Sequence, residues 1–500
     1  MKWCVAMCGA GLPLWAAAAE PVFEPQPDAL PMPHIYSGGW EHFVGGGLAV
    51  FDCNADGRPD LFAAGGADYA KLFINESDGD GIRFRDGEGP ELSGVTGAYP
   101  IDIDSDGTLD LAILRVGSNA LYRGLGECQF ENASGDWRFD GGDGWSTAFS
   151  ATWEGDAVWP TLAIGNYVDR YDPEGPFEAC DDNELHRPES GRYIATLALS
   201  PGFCALSMLI SDWQRSGAPE LRISNDRHYY VAGGYEEMWR LDPLAPRGEA
   251  EGWDKISLWG MGVASADLTG DGRPEVMLTS MGDQVLQLNE GDGFRNAPFD
   301  LGTYATRPHT GDDTNPSTGW HAEFADVDND GRLDLFISKG NVDEMGGAAV
   351  EDPNNLLMQA EDGTFIERAA DAGVASLHRG RGAALVDFDG DGRLDLAVVN
   401  RRAPLEIWRN ATDAGAWLTV EATQDGPNRR AVGAWIEVET PEAVQTREIT
   451  VGGGHGGGQA GPIHFGLGEA TEARVRVIWP DGEVGEWQTA ASNGLVRLTR

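Results

Sequence analysis

A nine-residue string recurs along this chain, with carboxylates at positions 1, 3, 5 and 9 and glycine at position 6. Its fullest copy is Asp387-Phe388-Asp389-Gly390-Asp391-Gly392-Arg393-Leu394-Asp395, set between the apolar runs 383–386 and 396–399. A hard divalent cation takes roughly six to eight oxygen ligands at about 2.4 Å. Alternating carboxylates on a tight loop supply such oxygens, and glycine permits the sharp turn.

Four further copies share the frame. They begin at Asp52 (Asp52, Asn54, Asp56, Asp60), Asp102 (Asp102, Asp104, Asp106, Asp110), Asp267 (Asp267, Thr269, Asp271, Glu275) and Asp326 (Asp326, Asp328, Asp330, Asp334). With Asp387, Asp389, Asp391 and Asp395 these residues form the candidate metal-ligand set, and Ca2+ is the expected ion. Two degenerate copies fill the gaps. Asp212 to Glu220 keeps the frame but has lost the acids at positions 3 and 5, and Trp153 to Thr161 keeps only strand and turn. These two loops are expected to bind no ion tightly. Seven units result, spaced by roughly 50–60 residues.

Each unit reads alike. An apolar run enters the loop, a second leaves it, and a third follows about ten residues later, often before a Gly-rich turn and a Phe. Short apolar runs bounded by turn signals are strands buried on both faces, and three or four per unit make one propeller blade. An EF-hand needs a bidentate Glu at position 12 and flanking helices. Here position 12 is Ala63, Ile113, Leu278, Ile337 or Val398, all apolar and in strand-like runs. The predicted fold is all-β, a seven-bladed β-propeller followed by a small C-terminal β domain.

Composition narrows the function. The 500 residues carry a formal charge of −45, which excludes a nucleic-acid partner because phosphate binding needs clustered Lys and Arg. The 17 Trp and 18 Phe argue against a disordered acidic chain. Residues 1–19 read as a signal peptide, with Lys2, an apolar stretch and Ala17-Ala18-Ala19, giving cleavage before Glu20 and a secreted or periplasmic protein. That stretch is too short and glycine-punctuated to span a bilayer, and no other run is long enough, so no membrane insertion is expected. Beyond it lie Cys53, Cys128, Cys180 and Cys204. Cys180 and Cys204 flank one insertion and are the predicted disulfide; the other two are left open between pairing and free thiols.

The repeats resemble the FG-GAP/VCBS repeats of the integrin α-subunit propeller, where such a loop joins two strands of a blade and holds calcium. A second signature follows in Gly433-Ala434-Trp435-Ile436-Glu437-Val438, Gly452-Gly453-Gly454-His455, His464-Phe465-Gly466-Leu467-Gly468 and Val475-Arg476-Val477-Ile478-Trp479-Pro480-Asp481-Gly482. It resembles the ASPIC/UnbV domain of the cartilage acidic protein family and many bacterial exported proteins. The resemblance implies a small β-rich appendage with no established chemistry. Expected domains are the signal peptide 1–19, an extended lead-in 20–44 whose strand could close the ring, the propeller 45–412 and the ASPIC/UnbV domain 413–500.

No nucleophile elbow, P-loop or H-E-x-x-H occurs, and no catalytic residue is assigned. His228, with Tyr229 and Tyr230, and His309 and His321 read as propeller-face loop histidines. His455 and His464 are candidates for an interaction face, His464 rather as a strand-end residue. The expected role is binding of a protein or glycan by loops on one propeller face, including insertions near 170–190 and 302–320. The alternative is a calcium-dependent hydrolase or redox-associated enzyme with its site in the propeller funnel.

Overall fold

The computed structural model describes residues 20–500 apart from 80, 174–178, 227–232, 305–314 and 344. The expected leader, His228, Tyr229, Tyr230 and His309 lie outside the described residues.

Seven blade sheets follow one another along the chain, each built around an innermost strand. These inner strands are Leu48–Phe51, Val95–Ile101, Ser146–Thr152, Ala205–Ser211, Gly260–Ala266, Gly319–Ala325 and Arg379–Val386, and we number the blades 1 to 7 in that order. Every nine-residue frame, including the two degenerate ones, connects the inner strand of a blade to its second strand. Inner strands pack side by side around the circle, and that of blade 7 meets that of blade 1. The fold is therefore the predicted seven-bladed propeller. The apolar runs are buried on both faces because each blade is covered by its two neighbours: Leu61, Phe62 and Ala63 of blade 1 are all fully enclosed.

Threonine hydroxyls lace the blades together. Thr96 donates to the Ser146 carbonyl, Thr147 to that of Ala205 and Thr279 to that of Trp320, each at 2.6 Å. Ring closure uses the two ends of the repeat region. Strand Phe23–Pro25 pairs antiparallel with Glu406–Asn410 and becomes the outermost strand of blade 7, as the lead-in was expected to do.

The C-terminal domain is a two-sheet sandwich. One sheet places Ala416–Thr423 between Ile463–Gly468 and Gly494–Thr499; the other runs Val444–Glu448, Trp435–Glu439, Glu472–Ile478, Gln488–Ala491. Leu418, Ile436, Phe465, Val475 and Val477 fill the space between them.

Between the two sheets the chain makes an excursion that the sequence did not disclose. Residues 451–460 leave the sandwich and enter the centre of the ring. Val451 bridges Ala151, Gly452 bridges Leu209, Gly454 bridges Val263 and Gly457 bridges Ala98. Gln459–Ala460 then runs parallel to Val50–Phe51 as an extra strand inside blade 1. His455 sits against Trp320 of blade 6 and close to Gly382 of blade 7. All seven blades thus touch this one segment. Its glycines are a packing requirement: a Cβ at Gly457 would run into the Leu48 carbonyl and one at Gly452 into that of Met208, while from the ring side a Cβ at Gly47 or Gly97 would run into the Gly456 carbonyl.

Candidate metal centres

The nine-residue loops share a hydrogen-bond plan dictated by their sequence. The position-1 carboxylate accepts the position-6 glycine N–H, as from Gly57 to Asp52, Gly107 to Asp102, Gly331 to Asp326 and Gly392 to Asp387. The position-9 carboxylate reaches back across the turn. Asp110 accepts Ile103 N–H at 2.7 Å, and its other oxygen accepts Gly124 N–H of the third strand at 2.9 Å. Asp334 does the same with Val327 and Gln359, and Asp395 with Phe388 and Asn410.

Positions 1, 3 and 9 come together in three blades. Carboxylate oxygens of Asp102, Asp104 and Asp110 lie within 4.8 Å of one another, as do those of Asp326, Asp328 and Asp334, and those of Asp387, Asp389 and Asp395. Position 5 does something else. Asp56, Asp106, Asp271, Asp330 and Asp391 each accept the backbone N–H two residues on, closing the turn rather than joining the group.

The other two candidate loops gather no such trio. In blade 1 the Asn54 amide turns to Asp56, and Asp60 lies beside Cys53 and Cys128, whose sulfurs are joined in a disulfide. In blade 5 the position-3 residue is Thr269, while Glu275 accepts Leu268 N–H and Asp267 accepts Gly270 and Gly272 N–H.

Burial makes the gathered charges costly. It pushes Asp110 up to about 8 and Asp102 and Asp387 to about 6, and it holds Asp326, Asp334 and Asp395 well above the usual carboxylate range, with neighbouring carboxylates adding to each shift. Blades 2 and 7 offset part of this with an arginine from the third strand. Arg123 donates to Asp104 at 2.9 Å, and Arg409 donates to Asp389 at 2.5 Å and Asp391 at 2.6 Å. In blade 6, Asp328 is 3% exposed and both its oxygens lack a hydrogen-bond partner.

Sequence reasoning missed the asparagines that tie these loops to one another. Asn75, Asn289 and Asn410 end third strands. Each donates its side-chain amide to its own loop and to the position-2 carbonyl of the preceding blade's loop, at Phe388, Trp213 and Val327. A fixed offset of 14 or 15 residues from position 9 is the signal that finds them.

The Cys180–Cys204 disulfide forms as predicted, and Cys53 pairs with Cys128, linking the blade-1 loop to blade 2. His455 and His464 make an interface with the chain's own propeller. The His455 ring donates from Nδ1 to the Met261 carbonyl and accepts Gly45 N–H at Nε2, while His464 Nε2 donates to the Gly392 carbonyl.

Comparison with known proteins agrees with this geometry. Residues 52–113 and 267–337 match the FG-GAP-like repeat, covering the loops of blades 1, 2, 5 and 6, and residues 424–500 match the ASPIC and UnbV family. The chain carries FG-GAP-like repeats and an ASPIC/UnbV domain. Cartilage acidic protein 1 of Mus musculus is 29% identical over 238 residues, 45% of this chain and 34% of that protein; the Homo sapiens protein is 32% identical over 170 residues, 32% of this chain and 24% of that protein. The match thus spans about a third or less of these curated relatives. Among solved structures, BBS1N in complex with ARL6DN aligns with a TM-score of 0.46 at 11% identity, over 78% of this chain and 97% of that one. The extracellular domain of the two-component system BT4673 from B. thetaiotaomicron aligns at 0.41 and 10%, over 96% and 60%. The FG-GAP repeats lie in the ring, and the ASPIC/UnbV domain contributes the segment that enters its centre.

Proposed function

We propose that this protein is an exported, calcium-loaded propeller that binds a protein or glycan partner on the face opposite its ASPIC/UnbV domain. The observation that carries the calcium reading is Asp328, buried with two unpartnered oxygens between Asp326 and Asp334. A donor set of oxygens alone suits a hard divalent cation. Asp102 and Asp104 each add one buried, unpartnered oxygen in blade 2. A bound ion supplies positive charge that lets the acids stay ionised at close range, and so couples binding to folding.

The chain's own segment 451–460 runs through the ring centre and narrows the funnel to a cavity of about 310 Å³ enclosed between ring and C-terminal domain, too confined for a macromolecular partner, which favours partner binding on an outer face. Strand alternation places the loops between second and third strands, and those between blades, on the face away from the acidic loops. The described parts of two insertions, 167–173 with 179–182 and 302–304 with 315–318, belong there, and Tyr171 and Phe299 on that face are 65% and 78% exposed. Two disulfides suit an oxidising compartment.

Elemental mass spectrometry of the purified, desalted chain tests the metal reading. Three calcium ions per chain, for blades 2, 6 and 7, are expected; a metal-free chain ends it. Binding of the wild type to an envelope fraction, against the Tyr171→Ala and Phe299→Ala double variant, tests the face. Equal binding by both would move the partner elsewhere.

A further inference from the structure

The blade-6 loop differs from the others in what lies on top of it. Strand Ile463–Gly468, which carries the His-Phe-Gly-Leu-Gly signature, rests directly on this loop. Gly468 N–H donates to the Asn329 carbonyl at 2.7 Å, and Gly415 N–H donates to the Asp328 carbonyl at 2.8 Å. Asn329 in turn donates its side-chain amide to the carbonyls of Gly415 and Gly392. Contact is so close at Gly466 that a Cβ there would run into Asp326 Oδ2. Asp326, Asp328 and Asp334 are all buried, at 2%, 3% and 2% exposure. In the blade-2 group Asp104 is half-buried, and in the blade-7 group Asp387 is.

We propose that the C-terminal domain seals a divalent cation into the blade-6 loop, and that this cation in turn clamps the domain to the ring. The proposal rests on the calcium reading above. Its physical basis is reciprocal. The backbone carbonyls of Asp328 and Asn329 can accept from Gly415 and Gly468 only while the loop keeps its present shape. That shape sets three carboxylates against one another beneath the glycine strand, with no arginine donating to Asp328, since Arg332 pairs with Asp330 instead. An ion inside the loop holds the surface that the domain docks on, and the docked domain blocks the ion's way out. By linkage, each then raises the other's affinity by the same factor. Glycine at 466 is the position where the seal depends on the missing side chain. The blade-2 loop has no such lid over Asp104, so its ion exchanges with solvent.

The test uses the full chain loaded with radioactive calcium, desalted and chased with chelator. Hydrogen exchange of residues 463–468 is followed in parallel. One ion per chain is expected to persist after the others have left. Asp328→Asn should remove that slow ion and speed exchange at 463–468 roughly tenfold. Asp104→Asn should remove a fast ion and leave that exchange unchanged. Gly466→Ala should keep the ion count and turn the slow ion into a fast one. Loss of all ions in one phase, or unchanged exchange at 463–468 in Asp328→Asn, would overturn the seal while leaving calcium binding intact. A chain that holds no calcium before the chase overturns the calcium reading itself, and the seal with it.

Discussion

The loops of blades 4 and 6 are built on one frame and treat their buried acids differently. In both, the position-1 aspartate accepts the glycine N–H at position 6: Gly217 to Asp212 at 2.7 Å and Gly331 to Asp326 at 2.8 Å. In blade 6, positions 3 and 9 are aspartates whose oxygens converge. In blade 4, position 3 is Gln214 and position 9 is Glu220, and the Arg247 guanidinium joins them. It donates to both Glu220 oxygens, at 2.8 and 2.7 Å, and to Gln214 Oε1 at 3.0 Å. Trp213 completes the arrangement, with its ring N–H on Glu220 and its face toward Arg247. The hairpin therefore needs positive charge between positions 3 and 9. Blade 4 carries its own, on a side chain; in blade 6 we propose an ion in that place. On that reading the degenerate loop is the same device with its cation made covalent.

The largest test of this contrast is chelation. Stripping calcium should lower the melting temperature by about ten degrees or more, because every filled acidic loop loses its counter-charge at once. Scanning calorimetry with and without chelator measures it, and an unchanged midpoint would place both loops in the calcium-independent class. Next comes Arg247→Met. It strands the buried Glu220 carboxylate and should cost about 3 kcal/mol, equally with calcium and with chelator. Asp328→Asn should destabilise the calcium-loaded protein and change the chelated protein little. Denaturant titrations of both variants in both buffers give the four values, and a calcium-dependent effect of Arg247→Met would erase the distinction.

The smallest expected effect is on pH dependence. Burial raises the blade-2 and blade-7 acids in the ion-free loops, Asp110 to about 8 and Asp102 and Asp387 to about 6. A carboxylate with a raised folded pKa adds stability below its unfolded value, and that contribution is lost as pH rises through the folded value. The chelated protein should thus weaken from pH 5 to pH 8, so the midpoint difference caused by chelator grows over that range. His455 and His464 run the other way. Burial lowers them to about 3 and about 4, so their neutral forms contribute fully above the unfolded value near 6.5, and this contribution fades as pH falls toward those values. Melting curves in calcium should therefore decline below pH 6. A chelator effect that shrinks toward pH 8 would contradict the burial of the loop acids.

The ring was legible because its signal repeats and is local. Loop, strand and spacing identify all seven blades, even at Trp153 and Asp212 where the acids are gone, and the proline-rich lead-in suggested the closing strand. Position 5 was expected to be an equal partner of positions 1, 3 and 9, and its carboxylates stand apart from their clusters while accepting the N–H two residues on. An Asp two residues before a free N–H closes a turn, and composition does not separate that from ligation. The entry of residues 451–460 into the ring left no trace in the sequence. A run of glycines has no periodicity and no apolar face, and its partners lie from Gly47 to Gly382. The Cys53–Cys128 bond joins neighbouring blades, so only the three-dimensional order of the ring brings it within reach.

Pairing of Phe23–Pro25 with Glu406–Asn410 has a consequence for how the molecule is made. Strand Phe23–Pro25 has no hydrogen-bonding mate until nearly four hundred more residues have been synthesised, roughly twenty seconds or longer at the usual pace of translation. The circle cannot shut before that.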